Sequence, residues 1–164
     1  MTRYARIATP LGTLVATAAG GALTGLYFDG QQHFPSIGAD WREDADAPPL
    51  RECARQLGEY FRGRREAFDL PLAPEGTPFQ RRVWNEIARI RYGETLTYAQ
   101  LARRAGAPGS ARAAGAATGR NPLSIIVPCH RVVGSDGSLT GYAGGLERKT
   151  RLLEIEGALQ GSPA

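Results

Sequence analysis

Cysteine is scarce in this 164-residue chain, and its two cysteines, Cys53 and Cys129, lie far apart. They cannot build the disulfide framework of a small secreted domain, so we expect a reducing compartment, the cytoplasm. Long apolar runs are also missing, since no segment approaches the length of a membrane span. The polar start of the chain lacks the apolar region of a signal peptide. The sequence therefore predicts a soluble, cytoplasmic protein that does not contact membranes.

Metal-binding patterns are missing as well. A structural zinc site needs four ligands at suitable spacing, but this chain has two histidines, two cysteines and no C-x-x-C pair. A site built from all four would require His33 and His130 to converge with the two cysteines from scattered positions. We therefore predict that the protein holds neither a metal ion nor another cofactor.

Positive charge is concentrated in one part of the chain. Residues 81–120 hold eight Arg against Glu86 and Glu94, whereas residues 1–75 hold eight Arg against ten acidic residues. A basic segment suits a polyanionic partner such as nucleic acid. An arginine-rich helix face exposed to solvent is the ordinary explanation of such a segment, so composition alone does not decide between the two.

The N-terminal third is predicted to form an antiparallel sheet. Alternating apolar residues and β-branched residues indicate strands at 4–10, 11–18 and 22–28. Gly20 and Gly21 suit a tight hairpin turn. Residues 29–49 predict a long surface loop, and apolar residues recur at helical spacing in 48–63. Cys53 lies on the apolar face of that helix, where a packed small hydrophobe is its default role.

A stretch rich in proline and glycine at 69–76 predicts a domain boundary. The predicted organisation is an N-terminal domain over residues 1–72, a linker over 73–76 and a C-terminal domain over 77–164. The second domain begins with a helix in which Thr77 is the N-cap and Pro78 the first helical residue.

Two short helices joined by a glycine-containing turn are predicted in the basic segment. Thr97 and Gln100 form a capping-box pair that opens the first helix, whereas Ser110 can cap a second helix that ends near Gly119. This arrangement suggests a helix-turn-helix. The second helix carries little bulk apart from Arg112, so its backbone suits close approach to a nucleic-acid groove. An alanine-rich helix packed tightly on its neighbours is an equal alternative.

Cys129 follows a β-branched run, residues 124–127, that predicts a buried strand. Pro128 cannot continue a ladder of strand hydrogen bonds, so a turn is predicted there, and the end of a strand is a common place for a catalytic group. A reactive thiolate needs a base or a positive charge, and His130 and Arg131 are both adjacent. An inert buried thiol remains the default for a free cysteine.

Two more polar residues have candidate roles. Asn121 precedes a proline in the loop before the buried run, where its amide can fix a turn. Glu156 lies near the end of a helix predicted from Leu146 to Gly157, at the edge of the apolar stripe. A carboxylate there can orient a histidine, although a solvated glutamate is the ordinary explanation.

Four segments together resemble the O6-alkylguanine-DNA alkyltransferase family, in particular its small bacterial members. They are GTPFQRRVW, RYGETLTYAQLA, GRNPLSIIVPCHRVVG and LTGYAGGLERKTRLLEIEG. The likeness is strong over residues 76–157 and holds in outline for the N-terminal half. It implies an α+β protein with an N-terminal ribonuclease-H-like antiparallel sheet and helix, followed by a helical, winged-helix-like domain containing the helix-turn-helix. The implied activity is direct-reversal DNA repair by a monomer, on the minor groove of double-stranded DNA containing O6-alkylguanine.

The resemblance implies catalytic roles for four residues. Cys129 accepts the alkyl group irreversibly, once per molecule, after the damaged guanine has flipped out of the duplex. His130 takes the thiol proton through a water, and Glu156 polarises His130. Asn121 ties the active-site turn to the helix-turn-helix.

The resemblance also implies contacts with DNA and with the flipped base. Tyr98 favours rotation of the base and donates to its ring, and Arg112 fills the vacated place in the stack. The other residues expected to contact DNA are Ser110, Ala111, Gly115 and Arg120. The base pocket is expected to consist of Val132, Tyr142, Ala143, Gly144 and Lys149. Its polar contacts are the Val132 carbonyl for the exocyclic amine and the Ala143 and Gly144 amides for O6.

Two other classes of function are consistent with parts of the sequence. A cysteine hydrolase using Cys129, His130 and Asn121 would turn over repeatedly and would not need a basic helix-turn-helix. A DNA-binding regulator with a sensing or incidental thiol would bind DNA normally after Cys129→Ser and would not prefer alkylated guanine. An assay for alkyl transfer separates both from the alkyltransferase.

Overall fold

A computed structural model describes residues 1–159 of the chain. These residues form two compact units, Met1–Glu75 and a second unit that begins at Gly76. None of the helices within 1–159 combines the length and the hydrophobicity that crossing a membrane requires. The first unit contains a sheet and one helix, and the second is mainly helical. The predicted α+β class is therefore confirmed.

The first unit is built on a four-stranded sheet in the order β3-β2-β1-β4. Its three long strands are β1 (Arg3–Thr9), β2 (Gly12–Ala19) and β3 (Ala22–Phe28). Both neighbouring pairs are antiparallel, as predicted. Gly20 and Gly21 join β2 to β3 with φ angles of +59° and +82°, which two-residue hairpin turns require and glycine adopts without strain.

The segment predicted as a loop over 29–49 contains a short strand. This strand, β4 (Arg42–Glu43), pairs in parallel with β1. An ion pair between Arg6 and Glu43, 2.9 Å between Nη1 and Oε2, joins the two strands at the surface. Because both β4 side chains are exposed, its two residues carry no apolar alternation by which the sequence could reveal it.

Helix α1 (Pro48–Phe61) packs its apolar face on the sheet. Its buried apolar side chains are Leu50, Cys53, Leu57 and Tyr60, which confirms the helical spacing predicted from the sequence. Burial raises the pKa of Cys53 to about 12. Cys53 is therefore a packed small hydrophobe and is protonated at neutral pH.

The second unit contains four helices and two short strands among the described residues. They are α2 (Pro78–Ala88), β5 (Leu96–Thr97), α3 (Tyr98–Arg104), α4 (Ala111–Gly119), β6 (Val132–Val133) and α5 (Leu146–Ile155). Strands β5 and β6 pair in parallel. Helices α2, α3 and α4 pack together, and the Trp84 indole donates to the Ala117 carbonyl at 2.8 Å. Thr77 caps α2 and Pro78 is its first residue, as predicted.

Helices α3 and α4 form the predicted pair of short helices. Thr97 and Gln100 make the capping box that opens α3, and α4 ends at Gly119; both predictions are confirmed. Ser110 occupies the N-cap position of α4, but its side chain makes no capping hydrogen bond. Its ψ of 45° is far from the extended backbone of a capping residue, so the predicted side-chain cap is wrong.

The predicted strand over residues 124–127 is also wrong. Residues 124–126 form a turn, with Ile125 at a φ of +72°. The amide of Val127 donates to the Leu123 carbonyl at 2.9 Å, across the turn. Leu123, Ser124 and Ile125 are nevertheless buried. The predicted burial of this segment is correct, but a short apolar run does not distinguish a strand from an irregular buried segment.

Candidate active site

The sequence Cys129–Arg131 forms one turn of 3₁₀ helix directly after Pro128, so the turn predicted at this proline is confirmed. All three side chains are buried. The turn is closed by the Arg131 amide, which donates to the Pro128 carbonyl at 2.9 Å. In a 3₁₀ turn successive side chains point about 120° apart rather than to opposite faces as on a strand. Cys129, His130 and Arg131 therefore face three different parts of the surrounding structure.

Asn121 holds the segment that leads into this turn. Its Nδ2 donates to the Val127 carbonyl at 2.8 Å, and its Oδ1 accepts from the Leu123 amide at 2.9 Å. The backbone amide of Asn121 donates to the Thr118 carbonyl of α4 at 3.2 Å. The buried Asn121 side chain thus supplies hydrogen bonds to this segment, which has no strand partner. The backbone of Asn121 connects the segment to the helix-turn-helix.

His130 and Glu156 form a buried hydrogen-bonded pair. The distance from His130 Nε2 to Glu156 Oε2 is 2.8 Å, and neither side chain is exposed. Burial lowers the pKa of His130 and the Arg131 charge lowers it too, while Glu156 raises it, for a net decrease. The imidazole is therefore neutral at neutral pH. Because an ionised carboxylate only accepts hydrogen bonds, Nε2 carries the proton and Nδ1 has the lone pair.

The second ring nitrogen of His130 is available as a base. Within residues 1–159, no protein group hydrogen-bonds to the buried Nδ1 atom. The tautomer of His130 is set by the hydrogen bond from Nε2 to Glu156, as for other histidines oriented by a carboxylate. His130 is therefore set to accept a proton on the side of the ring away from Glu156.

Arg131 binds the same carboxylate. Its Nε donates to Glu156 Oε1 at 2.7 Å and its Nη2 to Oε2 at 2.9 Å. Burial raises the pKa of Glu156, but the hydrogen bonds and charges of His130 and Arg131 lower it by more, to about 2. From the sequence, Arg131 was a candidate positive charge for stabilising the thiolate of Cys129. In the structure its guanidinium is instead committed to Glu156.

The electrostatics of Cys129 favour its protonated form. Burial raises the pKa of the thiol, whereas a hydrogen bond with Asn121 and the charge of Lys149 lower it, and the net direction is upward. A thiol in this state needs a base at the moment of reaction. Asn121 and Lys149 stabilise the thiolate once its proton has left.

Lys149 is a buried cation that binds three carbonyl groups. Its Nζ donates to the carbonyls of Val132 at 2.6 Å, Thr140 at 3.0 Å and Gly141 at 3.1 Å. Burial lowers its pKa to about 8, against the opposing effect of the Cys129 charge. Lys149 thus ties the segment before α5 to strand β6, next to the cysteine.

The other residues expected in the base pocket lie in this same segment. The Tyr142 hydroxyl is buried, and burial, followed by the Cys129 charge, raises the pKa of Tyr142 well above its ordinary value. Ala143 is half-buried and Gly144 is buried. The Tyr98 hydroxyl donates to the Thr140 carbonyl at 3.1 Å. Hydrogen bonds through Lys149 and the Thr140 carbonyl therefore link Tyr98, Val132 and Lys149. Tyr142 is close enough to Cys129 for the charge of the thiolate to raise its pKa.

Apart from Tyr98, which is the first residue of α3, the residues expected to contact DNA lie on or beside α4. Arg112 and Arg120 are exposed, whereas Ser110, Ala111 and Gly115 are half-buried. A Cβ atom at Gly115 would lie 3.7 Å from the Tyr98 ring, an ordinary packing distance. Apart from Arg112, no side chain on α4 is larger than that of threonine.

Two parts of the site have no signal in the sequence. The Thr140 carbonyl accepts from both Tyr98 and Lys149, and the Ile90 carbonyl accepts from Arg131 at 2.6 Å. Every residue has a carbonyl group, so residue type does not reveal which one becomes an acceptor.

Among residues 1–159, no three His, Cys, Asp or Glu side chains are grouped as metal ligands.

Comparison with known proteins gives a family for both halves of the chain. The model for the 6-O-methylguanine DNA methyltransferase ribonuclease-like domain matches residues 2–74, and the model for the DNA binding domain of the same family matches residues 78–158. A methylated-DNA–protein-cysteine methyltransferase of Methanosarcina barkeri is 48% identical over 153 residues, covering 93% of this chain and 96% of that protein.

Solved structures agree with the sequence relatives. The O6-methylguanine methyltransferase of Mycobacterium tuberculosis is 46% identical, with a TM-score of 0.88, covering 96% of this chain and 94% of that one. A crystal structure of the Mycobacterium tuberculosis OGT protein in complex with DNA is 44% identical with a TM-score of 0.87, covering 95% and 93%. The similarity therefore includes both units and extends to a protein solved with DNA bound.

Proposed function

Because the chain belongs to the 6-O-methylguanine DNA methyltransferase family, we propose that Cys129 accepts the alkyl group from damaged DNA. The chain is a DNA-repair enzyme, a methylated-DNA–protein-cysteine methyltransferase, and DNA is its partner. Its substrate is O6-alkylguanine in double-stranded DNA. The protein acts as a monomer in the cytoplasm and approaches the DNA from the minor groove.

The damaged guanine must leave the base stack before it reacts. Its O6-alkyl carbon is inaccessible inside the duplex, and flipping costs a few kcal/mol, less for a lesion that pairs poorly. Exposed Arg112, near the start of α4, enters the space that the base leaves. Tyr98, at the start of α3, favours rotation of the base. The backbone of α4 comes close to the DNA because its side chains at Ser110, Ala111 and Gly115 are small, and Arg120 binds a phosphate.

The flipped base enters the pocket next to Cys129. The Ala143 and Gly144 amides donate to O6, the Tyr142 ring packs against the base, and the Val132 carbonyl accepts from the exocyclic amine. Lys149 already occupies one lone pair of the Val132 carbonyl, and a carbonyl oxygen has a second. When the Tyr98 hydroxyl turns to the guanine ring, Lys149 still holds the Thr140 carbonyl.

The thiol loses its proton to His130. The proton passes through an intervening water to Nδ1, whose partner nitrogen is hydrogen-bonded to Glu156. The imidazolium that forms is stabilised by the carboxylate. Asn121 and Lys149 stabilise the thiolate, as their effect on the pKa of Cys129 indicates.

Alkyl transfer is an in-line displacement. Cys129 Sγ forms a bond to the alkyl carbon while the bond from that carbon to O6 breaks, and the electron pair of the broken bond goes to the guanine. Tyr98 donates a proton to the ring, which leaves as neutral guanine, and the proton held on His130 restores Tyr98 through solvent. The thioether on Cys129 has no route back to a thiol, so each molecule reacts once.

The observation that carries these roles is the buried set of Cys129, His130 and Glu156, with His130 Nδ1 available as proton acceptor. The test is the intact mass of the protein after incubation with duplex DNA containing O6-methylguanine, followed by peptide mapping, with Cys129→Ser in parallel. We expect a stoichiometric gain of one methyl group on the Cys129 peptide and none in the variant. Repeated turnover without an adduct would favour a hydrolase, and binding without modification would favour a regulator.

A further inference from the structure

We propose that Arg131 is a positioning residue for alkyl transfer, because it fixes the Glu156 carboxylate in the orientation that leaves His130 Nδ1 as the proton acceptor. This inference rests on the proposed function, since it assigns a role within the same reaction.

The geometry of the guanidinium supports this role. Arg131 uses Nε and Nη2 for the two oxygens of Glu156 and Nη1 for the Ile90 carbonyl, at 2.7, 2.9 and 2.6 Å respectively. Paired donors of this kind fix both the position and the plane of a carboxylate, which the point charge of a lysine does not. The third bond ties the guanidinium to the segment that follows α2. Only 6% of Arg131 is exposed, so water does not compete for these bonds.

Glu156 needs such a partner because its place in the fold disfavours an anion. It is the C-cap of α5, where the partial charge of the helix is negative. Its side chain is fully buried, and burying an unpaired carboxylate is strongly unfavourable. His130 is neutral and offers one hydrogen bond. Arg131 therefore places a full positive charge directly against the carboxylate.

The carboxylate orientation determines the state of the imidazole. Oε2 accepts from Arg131 Nη2 and from His130 Nε2, at 2.9 and 2.8 Å. With Oε1 and Oε2 both engaged by Arg131, the carboxylate cannot rotate away from the ring, so the proton stays on Nε2. The charged groups that affect His130 are Glu156, Arg131 and Lys149, and the two cations lower its pKa. Loss of Arg131 would thus raise the pKa of His130 and release the tautomer.

The test compares three variants of the full chain. Arg131→Met removes the charge and the paired donors, Arg131→Lys keeps only the charge, and Arg131→Met/Glu156→Gln removes the buried ion pair as a whole. Arg131→Lys keeps the test valid if Arg131→Met alone does not fold, because a cation still faces the buried carboxylate. The double variant leaves no lone charge buried and shows whether the ion pair is needed for folding. Circular dichroism establishes folding. The readouts are the single-turnover rate of methyl transfer from pH 5 to 9 and the ¹⁵N chemical shifts of His130, in a His33→Asn background that leaves one histidine.

We expect the wild-type ring to be protonated on Nε2. Arg131→Met should slow methyl transfer by about tenfold or more, which is the lower end of the loss seen when a group that orients a metal-binding histidine is removed. Its acid limb should move to higher pH, and the shifts should show mixed tautomers. Arg131→Lys should keep the acid limb near that of wild type while its rate falls. The double variant should fold and remain slow.

The inference is overturned if the folded variants keep the wild-type acid limb and tautomer, whatever their stability. That result would leave Arg131 a structural ion pair only. Failure of the proposed function gives a different result, because the wild-type protein itself would then transfer no methyl group.

Discussion

Replacement of Glu156 by glutamine should change how the stability of the second unit depends on acid. In the folded chain the pKa of Glu156 is lowered from 4.5 to about 2. A carboxylate with a lowered pKa contributes stability that is present above pH 4.5 and lost as the pH falls through about 2. The difference between these pKa values corresponds to about 3 kcal/mol of the free energy of unfolding at neutral pH.

Glu156→Gln removes this contribution and leaves the Arg131 guanidinium buried without its partner. Breaking a buried ion pair costs about 3–5 kcal/mol, and the cost applies while the wild-type carboxylate is ionised. We therefore expect the variant to be less stable by about 3 kcal/mol or more at pH 7. The two stability curves should converge as the pH approaches 2, because wild type then loses the same charge.

The measurement is urea unfolding between pH 7 and pH 2.5, followed by the fluorescence of Trp84. Trp84 is buried in the second unit, and the other tryptophan, Trp41, is removed as Trp41→Phe so that the signal reports this unit alone. Glu154→Gln, on the same helix but outside the buried cluster, is the matched control and should follow wild type. Parallel curves for wild type and Glu156→Gln over the whole range would refute the argument.

Three further substitutions test the groups around the cysteine and on α4. Arg112→Ala should slow methyl transfer from duplex DNA by about tenfold or more without slowing transfer from the free O6-methylguanine base, which needs no flipping; equal effects on both would contradict the role. Arg120→Ala should instead weaken binding to any duplex and reduce the slope of log affinity against log salt by about 1, as measured by fluorescence anisotropy. The pKa of Lys149 is lowered to about 8, so between about pH 8 and 10.5 the unfolded chain holds a proton that the folded chain has lost. Wild type should therefore gain stability relative to Lys149→Arg over this range. A constant difference between the two in urea unfolding would exclude this.

Local patterns were sufficient to predict most helices and strands. The sequence identifies Thr77 and Thr97 as N-caps because each threonine comes just before a helical apolar pattern. A capping threonine bonds only to residues near it in sequence. Gly20 and Gly21 identified the hairpin for the same reason. The side-chain cap predicted for Ser110 was wrong because its backbone, with a ψ of 45°, is set by the turn between two helices. That angle cannot be predicted from the neighbouring residue types.

The candidate site was predicted in part. Cys129, His130 and Asn121 lie within nine residues of one another, so a turn at Pro128 was enough to bring them together. The contact of Glu156 with His130 was implied by the resemblance, whereas its contact with Arg131 was not predicted. The two residues lie 26 and 25 positions from Glu156, and no local pattern reports contacts over that distance. The three carbonyls bound by Lys149 were out of reach of sequence reasoning, because backbone acceptors carry no residue signature.

One helix supplies both charges that face the cysteine turn. Lys149 and Glu156 are seven residues apart, so they lie about two turns apart on the same face of α5. Lys149 reaches Val132 on β6 at 2.6 Å, and Glu156 reaches His130 and Arg131 on the 3₁₀ turn at 2.8 and 2.7 Å. The three consecutive residues that follow Cys129 are thus held by one helix at two points, with the cation near the carbonyl and the anion near the base. Because both contacts depend on the phase of the same helix, we expect a change in the position of α5 to affect both proposed roles, that of Lys149 beside the thiolate and that of His130 as proton acceptor. The groups proposed to control the chemistry of Cys129 thus lie on a helix 20 to 27 residues further along the chain.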